Sequence, residues 1–192
     1  MNICISGDSI TKGFYDDEKG GWVNRLKEAR QEDKIFNLGI SGDTINELLE
    51  RFEKDVSGKN PNMIIFSIGI NDSIYIMKED RNFVSFDEFI KNIRKLAEKA
   101  RKFCEKIVFV GLVPVDESLV APMPWEPELY YLNKEIEKYD EAIREICKEE
   151  EVKLIDINQE MKKTDYKEML SDGIHPNAKG HQWLAEKIGE QI

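Results

Sequence analysis

No apolar run in this sequence of 192 residues approaches the roughly 20 residues that a membrane-spanning helix needs. Cysteine is scarce. Cys4, Cys104 and Cys147 are odd in number, far apart and set in apolar patterns, which predicts three reduced core thiols and excludes a disulfide framework. Histidine is scarcer still, with His175 and His181 alone, and no His/Cys/carboxylate group has metal-ligand spacing, so no metal or other cofactor is expected. Basic charge is in deficit, because 28 Lys and Arg against 38 Asp and Glu leave a net charge of −10. That sign repels nucleic-acid phosphates and anionic membranes, and no cluster of Lys and Arg opposes it. Neither is an expected partner. The N-terminus lacks a basic stretch followed by an apolar one, so a cytoplasmic protein is the expected setting. Repeats, low-complexity tracts and interdomain linkers are absent too, which predicts a single domain over residues 1–192.

What is present is 41% apolar residues, enough for one sizeable core, arranged as short β-rich runs alternating with longer helical patterns. The strand candidates are 2–6, 34–39, 63–69, 106–112 and 152–157, mostly continuous apolar runs of the kind buried on both faces of a parallel sheet. Amphipathic stretches lie at 21–32, 44–56, 86–104, 127–150 and 177–191. Thr44 with Glu47, and Ser85 with Glu88, have the spacing of capping boxes. Pro127 and Pro176 are placed to open the last two helices. Alternation of this kind predicts an α/β protein, a three-layer α/β/α sandwich around a five-stranded parallel sheet in the flavodoxin-like order 2-1-3-4-5. Residues 73–84 and 113–126 resist the pattern. Each follows the carboxyl end of a strand, where open α/β sheets bind ligands, so they are expected to wall a pocket.

The first strand runs into Gly7-Asp8-Ser9, which leaves a hydroxyl at a strand end near a helix N-terminus. Ser9 there is either a nucleophile in a field that favours developing negative charge or a helix N-cap. A serine nucleophile needs a base. Asp172 precedes His175 by three residues, so one turn can carry both a base and the carboxylate that orients it, or can merely be capped by them. His181 falls on the apolar side of the final helix and reads as structural or as a neighbour of the pocket. Gly42, after the second strand, can present its backbone N–H unobstructed, and Asn71, after the third, can offer a side-chain NH₂. Gly and Asn are also ordinary turn residues. Strands 1, 2 and 3 are neighbours in the predicted order, however, so Ser9, Gly42 and Asn71 should converge.

These blocks resemble those of the SGNH, or GDSL-type, hydrolases: Gly7-Asp8-Ser9, Asn37-x-Gly39-x-x-Gly42, Gly69-x-Asn71-Asp72 and Asp172-x-x-His175-Pro176, in the family's order. Ile10 replaces the family's Leu, an apolar-for-apolar change. The resemblance covers nearly the whole chain. It implies a metal-independent serine esterase or acylhydrolase working through an acyl-enzyme on a small-molecule ester. Ser9 is then the nucleophile, His175 the base and Asp172 its partner, with the Ser9 N–H, the Gly42 N–H and the Asn71 side chain as the oxyanion hole.

The other class that fits the predicted fold is a flavodoxin-like phosphate- or nucleotide-binding domain cradling an anion in residues 6–13. It leaves Asp172, His175 and Asn71 without work and sets Asp8 beside the anion. Within the resemblance, substrates range from acetylated sugars to lysophospholipids and thioesters. The pocket loops mix a small apolar group (Ile74 to Met77) with a charged one (Lys78 to Arg81), and Trp125 with Glu126. This predicts short acyl chains on small hydroxylated compounds, with Asp8, Ile74 and Trp125 as substrate contacts.

Overall fold

The computed structural model describes residues 1–192. Its strands are β1 (Asn2–Gly7), β2 (Lys34–Gly39), β3 (Met63–Ser67), β4 (Tyr75–Ile76), β5 (Arg81–Asn82), β6 (Lys106–Val110), β7 (Leu129–Tyr130) and β8 (Lys153–Ile155). The helices are α1 (Ser9–Lys12), α2 (Trp22–Ala29), α3 (Ile45–Val56), α4 (Phe86–Arg101), α5 (Glu117–Val120), α6 (Asn133–Glu149), α7 (Ile157–Met161) and α8 (Ala178–Gly189). No helix is long and apolar enough to cross a membrane.

The main sheet is parallel, five-stranded and ordered β2-β1-β3-β6-β8, which is the predicted 2-1-3-4-5 arrangement counted over its five strands. Its central strands are apolar throughout, as burial on both faces demands, with Ile3, Ile5, Ile64, Ile65 and Phe66 fully enclosed. Helices α2 and α8 pack together, while α3, α4 and α6 form a second packed set. Thr44 caps α3 in a complete capping box with Glu47, as the spacing predicts, and Ser85 caps α4 through the Glu88 N–H.

Register decides where the chemistry-bearing residues emerge. Gly7 at the end of β1 lies opposite Gly39 of β2 and Ser67 of β3. Three neighbouring strands therefore end level with one another, and the segments carrying Ser9, Gly42 and Asn71 leave the sheet side by side. This needs very close packing at Gly7. A Cβ there would stand 2.1 Å from the Ser67 carbonyl oxygen and 2.3 Å from Thr11 Oγ1.

Several local expectations are corrected. Pro127 does not open a helix, since α6 begins six residues later at Asn133. The intervening Leu129–Tyr130 pairs with Tyr75–Ile76, which also pairs with Arg81–Asn82, in a small antiparallel sheet ordered β5-β4-β7. The first irregular loop is thus stitched by backbone hydrogen bonds to the segment just past the second. Pro176 stands before the N-cap Asn177 of α8 rather than inside the helix. Cys4 and Cys147 are buried as expected, but Cys104 lies partly exposed just past α4. Burial pushes the Cys4 thiol up to about 11 and the Cys147 thiol up to about 12, so neither offers a thiolate near neutrality.

The close approach at Gly7 makes a test of the fold. Gly7→Ala forces the new methyl into backbone that cannot yield, and should lower unfolding stability by about 3 kcal/mol. Urea unfolding measures this, and an unchanged midpoint would mean that the ends of β1 and β3 have slack.

Candidate active site

The turn after β1 is built by Asp8 and Ser9 together. Asp8 is the N-cap of α1 and accepts the Ile10 N–H at 2.9 Å, so Ser9 is the first helical residue and not its cap. Residues at a helix start have backbone N–H groups without intrahelical partners, which leaves the Ser9 N–H available. The Ser9 hydroxyl lies 2.9 Å from His175 Nε2. His175 Nδ1 in turn lies 2.8 Å from Asp172 Oδ2. Donation of the Nδ1 proton to Asp172 leaves Nε2 as the acceptor for the serine hydroxyl.

Asp172 also fixes its own turn, accepting the Ile174 N–H at 3.0 Å and the His175 N–H at 2.8 Å through Oδ1. Burial acts to raise its pKa, but the His175 ring and these two amides outweigh it and hold the carboxyl below the ordinary range. The turn is an Asx-type structure in which one carboxylate orders both backbone and imidazole.

Gly42 occupies the left-handed region with φ +86°, and a Cβ there would meet nothing within 4 Å. The glycine is therefore a requirement of backbone conformation, not of space. Its N–H has no partner in the chain. The turn is tied to the end of β1 by Arg51, whose guanidinium donates to Asp43 Oδ2 at 2.6 Å and to the Gly7 carbonyl at 3.1 Å. Asn71 is held from both ends of its carboxamide. Nδ2 donates to the Asp43 carbonyl at 2.9 Å, and Oδ1 accepts the Tyr131 hydroxyl at 2.9 Å. The amide orientation is thereby set, and one N–H of Asn71 remains free of any bond within the protein. A hydroxyl activated by an imidazole, with three such N–H donors on adjacent strand ends, is an arrangement that can carry out acyl transfer.

The GDSL-like Lipase/Acylhydrolase family matches residues 5–183. The chain belongs to that family. The acetylxylan esterase of Geobacillus stearothermophilus is 27% identical over 83% of this chain and 72% of its own length. A rice GDSL esterase/lipase, WDL1, is likewise 27% identical, over 97% of this chain and 75% of its own. Among solved structures, the lipase/acylhydrolase from Enterococcus faecalis superposes with a TM-score of 0.83 at 24% identity, covering 100% of this chain and 94% of that one. This GDSL-type chain is a serine ester hydrolase.

The expected substrate contacts fare differently. Asp8 is 2% exposed and its carboxylate caps α1. Ile74, the residue before β4, is buried in the core cluster. Trp125 stands exposed on the turn closed by the Met123–Glu126 bridge, without a bond to Ser9 or His175. His181 is fully buried and structural. Its Nδ1 accepts the Trp22 N–H at 3.2 Å and its Nε2 donates to the Phe14 carbonyl at 3.0 Å. Three residues at the site escape the sequence motifs: Tyr131, which orients Asn71, and Phe14 and Tyr15, whose rings lie 5.2 and 5.5 Å from that of His175. The run Glu128-Leu-Tyr-Tyr-Leu132 carries an aromatic signal, but its position 60 residues from Asn71 hides the partner.

Two acids beneath the site are held toward their neutral forms. Burial raises Asp8 to about 6, against the Ile10 amide, and raises Asp72 to about 8, against the Ile45 amide that its carboxyl accepts. For Asp72 the native state keeps its proton more tightly than the unfolded chain does. Its contribution to stability is therefore full below about pH 4 and falls as pH rises toward about 8. Asp72→Asn should flatten the decline in Tm between these limits, and a parallel decline in variant and wild type would place the titration elsewhere.

Proposed function

We propose that this GDSL-type hydrolase cleaves short-chain, acetyl-like esters of small hydroxylated compounds through an acyl-enzyme on Ser9. The observation that carries the catalytic part is the continuous chain Ser9 Oγ–His175 Nε2–Asp172, with links of 2.9 and 2.8 Å. Ser9 Oγ attacks the ester carbonyl while its proton passes to His175 Nε2. Asp172 stabilises the imidazolium, and the N–H groups of Ser9, Gly42 and Asn71 hold the oxyanion. Collapse breaks the bond to the alcohol, which leaves with the proton from His175. Water then attacks the acyl-enzyme by the same route, returning the proton to Ser9 and releasing the acid.

The short-acyl part has three supports. Ile74 and Ile76 are buried, which removes two apolar side chains from the accessible wall. Lys78 is paired with Glu128 and Arg81 with Glu79, so these cations are not free for a polyanionic thioester. Two relatives, the acetylxylan esterase and a rat isoamyl acetate-hydrolyzing esterase 1 homolog at 26% identity, bear the names of acetate esters.

Ser9→Ala should lower ester hydrolysis by about 10⁴ or more while the unfolding midpoint holds. Hydrolysis of p-nitrophenyl esters from C2 to C16 then reads the acyl preference. A kcat/KM maximum at C2 to C4 is expected, and a maximum at C8 or beyond overturns the short-acyl reading.

Tyr131 acts here through Asn71 as a positioning residue. Burial raises its phenol pKa, so it remains a donor across the working pH range. Asn71→Ala should cost about 10²–10³ in kcat with little change in KM. Tyr131→Phe should lower kcat by about tenfold on its own, and by much less in the Asn71→Ala background. Additive losses would show that Tyr131 works independently of Asn71.

A further inference from the structure

The segment between α1 and α2 makes an exposed aromatic feature beside the catalytic base, and its rigidity is unusual for a surface loop. Phe14 and Tyr15 are 48% and 45% exposed, yet their rings pack edge-on to each other at 4.7 Å and both lie against His175. Tyr15 holds φ +64°, a left-handed conformation that a bulky residue keeps only when its surroundings impose it. Those surroundings are visible. His181 pins the Phe14 carbonyl and the Trp22 N–H from one imidazole. Burial lowers the pKa of His181, which keeps the ring neutral and able to accept from one side and donate to the other. Between these anchors, buried Asp16 accepts the Gly21 N–H at 2.9 Å and the Arg25 fork at 2.8 and 2.9 Å. Desolvation acts to raise Asp16, but the Arg25 fork and the Gly21 and Lys19 amides hold it at about 2, so the clamp stays charged at all working pH.

The chemistry of the site says which part of the ester meets these rings. The oxyanion donors come from the Ser9, Gly42 and Asn71 segments. His175 must hand its proton to the departing alcohol oxygen, so that oxygen approaches Nε2 and the body of the alcohol lies beside the imidazole. The exposed surface beside the imidazole includes Phe14 and Tyr15. We propose that these two rings are the leaving-group subsite of the enzyme, a prebuilt aromatic corner selecting uncharged alcohols with an apolar carbon face, such as a pyranose ring. A pyranose presents axial C–H groups to an aromatic face and keeps its hydroxyls at the edge. Exposed Asp17 on the same loop, in a chain of net charge −10, disfavours anionic alcohols. A platform already held in place loses little conformational freedom on binding.

The inference rests on the acyl-enzyme reading, and the test separates the two. Each variant is compared with wild type on each of two acetate esters, ethyl acetate and a mono-acetylated methyl pyranoside, so that intrinsic reactivities cancel. Phe14→Leu with Tyr15→Leu keeps bulk but removes both flat faces. It should lower kcat/KM for the pyranoside ester about tenfold more than for ethyl acetate, chiefly through KM. The acetyl-to-butyryl ratio on one alcohol should stay within about twofold, because the acyl side is untouched. Tyr15→Phe, which keeps the ring, should retain the wild-type selectivity. The unaltered enzyme gives a second readout, since the leaving-group subsite is also where an alcohol enters to attack the acyl-enzyme. With p-nitrophenyl acetate as donor, methyl pyranoside should capture the acetyl group more efficiently than ethanol at equal concentration. Equal losses on both esters, a shifted acyl ratio or equal capture by the two alcohols overturns the platform. If Ser9→Ala keeps full activity, it is the acyl-enzyme reading that falls.

Discussion

The chemistry proposed for this molecule turns on one contact, a hydrogen bond of 2.9 Å between residues 9 and 175. Its partners come from the first strand and from the loop before the last helix, so no local structure can bring them together. Catalytic geometry tolerates errors of only about half an ångström. The parallel sheet and the pairing of α2 with α8 both exist upstream of that contact. So do the smaller ties: Asp8 under the serine turn, Asp172 within its own turn, and Arg51 joining the end of β1 to the Gly42 turn. Each supplies a backbone group with a partner that it would otherwise lack, and in doing so fixes the position of a reacting group.

Polar side chains at this end of the sheet do double work. Asp172 satisfies two amides and aligns an imidazole. Asp43 offers its carbonyl to Asn71 and its carboxylate to Arg51. Buried His181 ties down the loop whose aromatic rings border His175. A buried imidazole with both nitrogens bonded costs little and ties two segments that are eight residues apart in sequence.

The large features of the fold were legible in the sequence because they obey simple periods. Strands buried on both faces are apolar without interruption, and α3 and α4 announce themselves through Thr44 and Ser85. The site residues were legible because each stands next to a strand end or in a motif of fixed spacing. The small sheet was not legible, since strands of two residues have no period and its pairing crosses more than 50 residues from Tyr75 to Tyr130. Pro127 reads as a helix start, although here it precedes a strand. The burial of Asp8 and Ile74 was hidden for a related reason. Proximity to Ser9, or membership of a pocket-lining loop, says nothing about which way a side chain turns: Asp8 caps α1, and Ile74 joins the core. Tyr131, Phe14 and Tyr15 depend on contacts with residues far along the chain, which one-dimensional pattern cannot show.

The level ends of β1, β2 and β3 and the late position of His175 together set an order of events during synthesis. Every strand of the main sheet, and every proposed oxyanion donor, lies before residue 156. His175, the proposed base, comes 20 residues after the last sheet strand. A growing chain that folds from its N-terminus as it leaves the ribosome can therefore assemble the sheet and the serine turn while the proton acceptor is still inside the exit tunnel. On the proposed mechanism, Ser9 then stands without its proton acceptor until the turn that carries His175 docks.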